Sequence, residues 1–312
     1  MRNRRIALLG AVTIGVTVLV TACSSASAGP GGTRGGAAVL MAVGAENEYA
    51  DVIRQIGGKY VRVAAIMSNP NTDPHTFEAS ASVAAEVRDA DLVVQNGLGY
   101  DDFMATIEKA SSNAGRQVVD VHHLRGLPDS TPNPHLWYDP ATMPAVAKAL
   151  VADLSRLQPA HAAYFHANDT TFENSLRTWQ QQLTTFRQQY PNTRVATTEP
   201  VADYLLEAAG IDNVTPFALQ AAIMNGTDPA PQAVSAQTAL CTGHQVKAFV
   251  YNQQVTDDLT QNWLAACEAA HIPVVGVYET MPTSGYTYQT WMEAELHAIR
   301  LAVTEGTSTD KL

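Results

Sequence analysis

Two histidines and two glutamates stand where a chain can offer metal ligands. His75 lies in Asn71-Thr72-Asp73-Pro74-His75-Thr76-Phe77-Glu78, and His135 in Asn133-Pro134-His135-Leu136-Trp137-Tyr138-Asp139-Pro140. Prolines bracket His135 and fix its backbone, which suits a ligand better than a floppy loop does. Glu199 precedes Pro200 at the end of one apolar run, and Glu279 follows another just before Met281-Pro282. Each also has a purely structural reading: His75 or Thr76 can cap a helix, His135 can pack on Trp137, and Glu199 can sit at a helix N-terminus. Together, two neutral imidazoles and two carboxylates from four strand ends form a cage for a divalent cation such as zinc, iron or manganese. The other histidines outside this set, among them His161, His166, His244, His271 and His297, read as ordinary surface or helix residues. No GxGxxG follows a strand, and no P-loop lysine motif, GxSxG elbow, HExxH or CxxC occurs. A nucleotide enzyme or a common hydrolase therefore has little support.

The elements that must position these residues are read from apolar periodicity. Ala37–Val43, Val61–Met67, Leu92–Gln95 and Gln117–Val121 read as strands, separated by helices over Glu46–Ile56, Thr76–Asp89 and Tyr100–Ser112. The rhythm resumes with strands Arg194–Thr198, Val246–Tyr251 and Val274–Val277. Helices there are expected over Glu199–Ala209, Gln232–Leu240 and Thr256–Ala270, with a last one from Gly285 to about Val303. Alternating strands and helices imply α/β lobes with parallel sheets, which bind ligands at the carboxyl ends of their strands. Between the halves, Phe165, Phe172, Trp179 and Phe186 recur every seven residues, and neither Gly nor Pro interrupts the run after Pro159. That is the stripe of one long helix, about 45 Å over thirty residues, joining the two lobes. The expected division is 37–157 for the first lobe, 158–190 for the linking helix and 191–312 for the second lobe.

The chain has 312 residues, 46% hydrophobic and 16% charged, which permits a full core. Its net charge of −11 argues against a nucleic-acid partner. Arg2, Arg4 and Arg5 precede an uncharged apolar stretch from Ile6 to Val20, the pattern of a secretory signal and too short for a confident membrane span. Val20-Thr21-Ala22-Cys23 resembles a bacterial lipobox, in which the cysteine thiol takes a diacylglyceryl group. Residues 1–22 are thus expected to be removed and 23–36, rich in Ser, Ala and Gly, to form a tether of roughly 20 Å. Removal leaves 16 basic side chains against 30 acidic, a net of −14. Cys241 and Cys267 remain in an oxidising compartment and are expected to pair, worth about 3 kcal/mol. No thiol is then left to ligate metal.

At these residues the chain resembles the cluster of ABC-transporter solute-binding lipoproteins for zinc and manganese, over nearly its whole mature length. Asp73-Pro74-His75-Thr76-Phe77-Glu78 is similar to the family's first-ligand motif and Asn133-Pro134-His135-Leu136-Trp137-Tyr138-Asp139-Pro140 to its second. Asp91-Leu92-Val93-Val94-Gln95-Asn96-Gly97, followed by Leu98-Gly99-Tyr100, is similar to its strand-plus-glycine segment. Tyr164 and Asn168 fit its Tyr-x-x-x-Asn helix pattern, and Thr198-Glu199-Pro200 with Tyr204-Leu205 and Gly210 its third-ligand segment. The resemblance implies two α/β lobes on one rigid helix and a metal in the cleft, handed to a membrane permease. His75, His135 and Glu199 become ligands by motif. The third ligand is Glu, as in the manganese branch, and the long His-rich loop of many zinc members is missing, with only His122-His123 near its place. The fourth segment, Val277-Tyr278-Glu279-Thr280-Met281-Pro282, lacks the family's aspartate, and Glu279 is the nearest acid.

The leading expectation is therefore a monomeric receptor for Zn²⁺ or Mn²⁺, held outside the cytoplasm by lipid on Cys23, that delivers its ion to an ABC permease. Two carboxylates suit Mn²⁺, whereas the Irving–Williams order favours Zn²⁺ as the ion held. An extracytoplasmic metallohydrolase would need an open metal position that four protein ligands deny it. A surface adhesin on the same scaffold would need an exposed apolar patch, which a sequence does not reveal.

Overall fold

A computed structural model describes residues 39–71, 73–282 and 285–312. The expected signal segment and tether, with Cys23, lie outside these residues. The first lobe contains β1 (Leu40–Glu46), α1 (Asn47–Gly57), β2 (Val61–Met67), α2 (Ala81–Asp89), β3 (Leu92–Gln95), α3 (Asp102–Ala110), β4 (Gln117–Asp120), α4 (Val121–Leu124) and α5 (Thr142–Leu157). Then come α6 (Ala162–Ser175) and α7 (Arg177–Gln189). The second lobe contains β5 (Arg194–Thr197), α8 (Asp203–Ala209), β6 (Asp212–Asn213), α9 (Phe217–Met224), α10 (Pro231–Thr242), β7 (Ala248–Asn252), α11 (Asp258–Ala269), β8 (Val274–Val277) and α12 (Tyr288–Glu305). Each lobe holds one four-stranded parallel sheet, in the orders β2-β1-β3-β4 and β6-β5-β7-β8. The chain tail covers the edge of β8: Thr309 donates to Val274 O and its own carbonyl accepts from Gly276 N, each at 2.9 Å. Gly276 is required there, because a Cβ would come within 2.3 Å of the Asp310 carbonyl.

The expected α/β architecture is present, with local differences that have local causes. The helix expected from Thr76 begins instead at Ala81, because Ser80 Oγ accepts from Val83 N and caps it. Pro74–Thr76 forms a separate 3₁₀ turn capped by the Asp73 carboxylate. Glu199 is not a helix cap either, since α8 starts only at Asp203. The linking helix falls into two pieces around Leu176, but its hydrogen bonds run through: Leu176 N donates to Phe172 O, and Gln180 N to Leu176 O. Leu176 keeps αR geometry, so the chain does not reverse.

The stripe on this helix is what joins the lobes. Phe165, Phe172, Leu176, Trp179, Leu183 and Phe186 are all buried. Burying each such side chain contributes about 1.5–3 kcal/mol. The α6 half packs on α1 and α5, the α7 half on α8 and α12. One apolar core therefore runs from Ala42 in the first lobe through the linking helix to Ala302 in the second. Polar contacts reinforce it. Asn47 Nδ2 donates to Met281 O at 2.7 Å while Met281 N donates to Asn47 Oδ1 at 2.9 Å. Tyr138 donates to Tyr278 O, and Tyr288 to Trp137 O, each at 2.7 Å.

Two features of the second lobe carry stability predictions. The Cys241 and Cys267 sulfurs are bonded, tying α10 to α11 within a smaller apolar core. Replacing both cysteines by alanine should cost about 3 kcal/mol, read as a lower urea midpoint, while ion binding persists. An unshifted midpoint would contradict this. Glu295 on α12 is fully buried and accepts from Trp291 Nε1, Tyr138 Oη and Tyr278 N. Burial outweighs these bonds and pushes its carboxyl from 4.5 up to about 8. The folded chain then holds a proton that the unfolded chain releases, so this contribution to stability fades as pH rises through that interval. Glu295→Gln should flatten the fall, by up to about 1.4 kcal/mol per pH unit, in ion-free protein unfolded by urea at a series of pH values. A slope equal to the parent's would refute the assignment.

Candidate metal centre

Loops at the carboxyl ends of both sheets meet between the lobes. His75 lies on the 3₁₀ turn after β2, where its N–H donates to Asp73 Oδ1 at 2.8 Å. His135 precedes the turn Leu136–Tyr138 and is fully buried. Glu279 follows β8 and is also fully buried. One ligating atom from each of these three lies within 4.8 Å of the others. Glu279 Oε2 is 3.3 Å from His75 Nε2 and 3.2 Å from His135 Nε2, and it accepts from Tyr100 Oη at 2.9 Å.

Glu199, after β5, joins this group indirectly. Asn252, the last residue of β7, donates from Nδ2 to Glu199 Oε1 at 3.2 Å and to Glu279 Oε1 at 2.5 Å. Its amide thus spans the two carboxylates. Glu199 Oε2 is buried and accepts no hydrogen bond. Gln254 Oε1 fixes the loop after β8 by accepting from Glu279 N and Thr280 N at 2.7 and 2.9 Å.

The tautomer of His135 is set by Asn133. The Asn133 amide donates to Pro200 O in the other lobe at 2.8 Å, which turns its oxygen toward His135. That oxygen accepts from the His135 backbone N–H at 3.0 Å and from Nδ1 at 2.7 Å. With the proton on Nδ1, the Nε2 lone pair points into the centre, as a metal-ligating imidazole requires.

The electrostatics follow from burial. Burial opposes ionisation of Glu279, but the bonds to His135 and His75 outweigh it and hold its carboxyl well below the usual range. Burial pushes His135 down and keeps it neutral. Burial also lowers His75, but the Glu279 carboxylate more than compensates and raises it. Glu199 is pushed well up, first by burial and then by the charge of Glu279. With its proton committed to Asn133 through Nδ1, neutral His135 no longer donates to the Glu279 oxygen 3.2 Å from Nε2, so that share of the carboxylate's support is lost and two electron-rich atoms stand opposed. A cation between them resolves the conflict, and the unpartnered oxygen of Glu199 is a further donor for it. Two nitrogens and carboxylate oxygens with no thiol suit a borderline divalent ion.

Of the residues expected from sequence, His75, His135 and Glu279 converge directly, and Glu199 stands beside them across Asn252. Sequence reasoning did not find Asn133, Asn252, Tyr100 or Gln254 as site residues. Two of them carried a signal: Asn133 stands two positions before His135 in the same motif, and Tyr100 ends the family-like segment Leu98-Gly99-Tyr100.

A family described as zinc-uptake complex component A, periplasmic, matches residues 43–302. The chain belongs to this family. Among relatives of the zinc-uptake component, the manganese-binding lipoprotein MntA of Bacillus subtilis (strain 168) is 26% identical over 175 residues, 54% of this chain and 56% of that one. The zinc-binding protein TroA of Treponema pallidum (strain Nichols) is 25% identical over 132 residues, 41% of this chain and 42% of that one. The chain spans about half the length of the curated relatives it matches. The fold extends further. The Mn²⁺ complex of FpvC from Pseudomonas aeruginosa superposes with a TM-score of 0.70 at 20% identity, covering 85% of this chain and 98% of that one. A Mn-bound periplasmic metal-binding protein from Candidatus Liberibacter asiaticus gives 0.69 at 18% identity, over 83% and 98%.

Proposed function

We propose that this member of the zinc-uptake component family is an extracytoplasmic receptor that captures one divalent ion, Zn²⁺ or Mn²⁺, and passes it to the permease of an ABC transporter. The observation that carries the reading is the convergence of His75 with the fully buried His135 and Glu279 at one site between the lobes. Glu199 completes the set of ligands. The names of the relatives support both ions, one as a manganese binder and one as a zinc binder. The donor set holds Zn²⁺ more tightly by the Irving–Williams order. Four protein ligands leave no position for an activated water, which favours a carrier over a hydrolase.

Of the ligands, His75 faces the solvent side, with its side chain 22% exposed against none for Glu279. The ion enters past it, and the inner ligands stay fixed by Asn133, Asn252 and Gln254. The chain acts as a monomer tethered by lipid on Cys23. Among the described residues no helix is long and apolar enough to cross a membrane. The decisive experiment is metal analysis of chain purified without chelator, followed by competition between Zn²⁺ and Mn²⁺. Absence of either ion, with no binding on reconstitution, would refute the proposal.

A further inference from the structure

Two carboxyls buried in the first lobe meet with no cation between them. Glu46 ends β1 and Asp101 precedes α3, and they are 0% and 2% exposed. Residues 42–44 of β1 pair in register with 92–94 of β3, and the same register carried on by two residues sets Glu46 beside Asn96. Asp101 folds back onto that residue. Its Oδ2 accepts from Asn96 N at 2.6 Å and its Oδ1 from Gly97 N at 2.9 Å. Glu46 lies within hydrogen-bond reach of Asp101, yet no N–H or hydroxyl donates to either Glu46 oxygen.

The groups around the pair are acids or are committed elsewhere. On α1, Tyr49 donates its hydroxyl to Asn96 Oδ1 at 2.7 Å, and Glu48 is a further buried acid whose oxygens also lack a partner. Tyr100 donates its hydroxyl to Glu279 Oε2 at 2.9 Å. From β4, Asp120 adds negative charge to Asp101, and His122 and His123 pair with Asp120. Two ionised carboxylates in contact and out of water repel strongly, so one of them keeps its proton. The two backbone N–H bonds to Asp101 favour its ionised form, which leaves the proton on Glu46. Burial, and after it the Asp101 charge, pushes the Glu46 carboxyl well above its ordinary range, while burial lifts Asp101 to about 6.

The loop that Asp101 grips is strained, and it supports the metal centre at both ends. Gly97, Leu98 and Gly99 take φ of +81°, +56° and +78° in succession. A leucine enters that region only at a cost which its surroundings must offset. At its start, Asn96 donates from Nδ2 to Pro134 O at 2.8 Å, one residue before His135. Near its end, Tyr100 holds the Glu279 carboxylate. Releasing Asn96 and Gly97 from Asp101 would therefore disturb both inner ligands at once.

We propose that Glu46 and Asp101 share one proton, and that this carboxyl–carboxylate bond latches the strained Asn96–Asp101 loop against the metal centre. Glu46 is thus a positioning residue for the ion, acting through Asp101 without touching the metal. The effect on ion capture rests on the function proposed above; the shared proton does not. The folded pair keeps a proton that the unfolded chain releases above the ordinary carboxyl range. Its contribution to stability is therefore full below about pH 4.5 and is lost as pH rises toward the raised value.

The test starts with ion-free full-length chain unfolded by urea between about pH 5 and 9, where each retained proton raises the unfolding constant up to tenfold per pH unit. Glu46→Gln gives Asp101 a permanent N–H donor and should remove one such factor from the parent's slope. An unchanged slope overturns the proposal. Glutamine reproduces the shape and the donor of the protonated acid, so a Glu46→Gln chain that fails to fold overturns it as well. Infrared spectra at neutral pH should show a protonated-carboxyl band in the parent that Glu46→Gln lacks, and equal bands would contradict the shared proton. Zn²⁺ titration against a competing chelator then reads the latch: Glu46→Gln should stay within about twofold of the parent, while Glu46→Ala, which offers no donor, should bind at least about tenfold more weakly. Equal affinities in Glu46→Gln and Glu46→Ala would overturn the latch. A parent that binds no ion has a separate signature, since it refutes the transport function and leaves the slope unaffected.

Discussion

Replacing His135 by alanine is expected to weaken ion binding by more than about 100-fold, because loss of an orienting partner alone costs 10–100-fold and loss of the ligand costs more. The residue is fully buried, its Nδ1 is committed to Asn133, and its Nε2 lies 3.2 Å from Glu279 Oε2. The substitution removes a nitrogen donor and leaves the Glu279 carboxylate facing a void. Asn133→Ala should have the smaller effect, about 10–100-fold, since the imidazole stays but its tautomer is no longer dictated. Calorimetric titration with a competing chelator measures both. The stabilisation that saturating ion gives, about 4 kcal/mol at a thousand times the parent's Kd, should fall to about 1.4 kcal/mol or less with His135→Ala at the same ion concentration. Parent-like affinity in that variant would remove His135 from the site.

The second large effect is one of stability without loss of binding. Trp179 lies at the middle of the linking helix, fully buried, with its ring edge-on to Tyr288 at 6.1 Å between centroids. Tyr288 in turn donates to Trp137 O in the first lobe, and its N–H donates to Asp51. Trp179→Ala should therefore lower stability toward the smaller end of the range of about 3–5 kcal/mol for such truncations. The smaller end is favoured because the indole N–H has no hydrogen-bond partner in the fold, so its removal relieves a buried unsatisfied donor. Urea unfolding followed by circular dichroism should give one transition at a lower midpoint with the same slope. Ion affinity of the folded protein should match the parent, because no ligand touches Trp179. A two-step unfolding curve would contradict the shared core.

These two sites differ in how far the sequence reveals them. The Phe165–Phe172–Trp179–Phe186 spacing declares the linking helix outright, since a heptad stripe has one regular solution. His75 and His135 are legible because each sits in a local motif with its own turn chemistry. Glu279 is legible only as the nearest acid to an expected aspartate. Asn252 is not legible at all. It matters because it touches Glu199, 53 positions earlier, and Glu279, 27 positions later, and no local pattern encodes that meeting. Helix α5 is masked in the sequence by Pro140 and Pro144. The second proline enters the first turn, where a missing N–H leaves no bond unmade. The start of α2 is hidden in the same way, because Phe77 looks like the beginning of an apolar helical face while Ser80 does the capping.

The continuous core has a consequence for how this chain can be cut or recombined. Neither sheet possesses a complete covering layer of its own, since α7 and α12 shield the second lobe while α6 and α1 close the first against the same stripe. A fragment ending before the linking helix would present uncovered aromatic surface to water and aggregate rather than fold. Lobes therefore cannot be exchanged between relatives as independent cassettes. A chimera has to inherit the stripe of Phe172, Leu176 and Trp179 together with the Tyr288 end of α12, or it will join two halves that do not recognise each other.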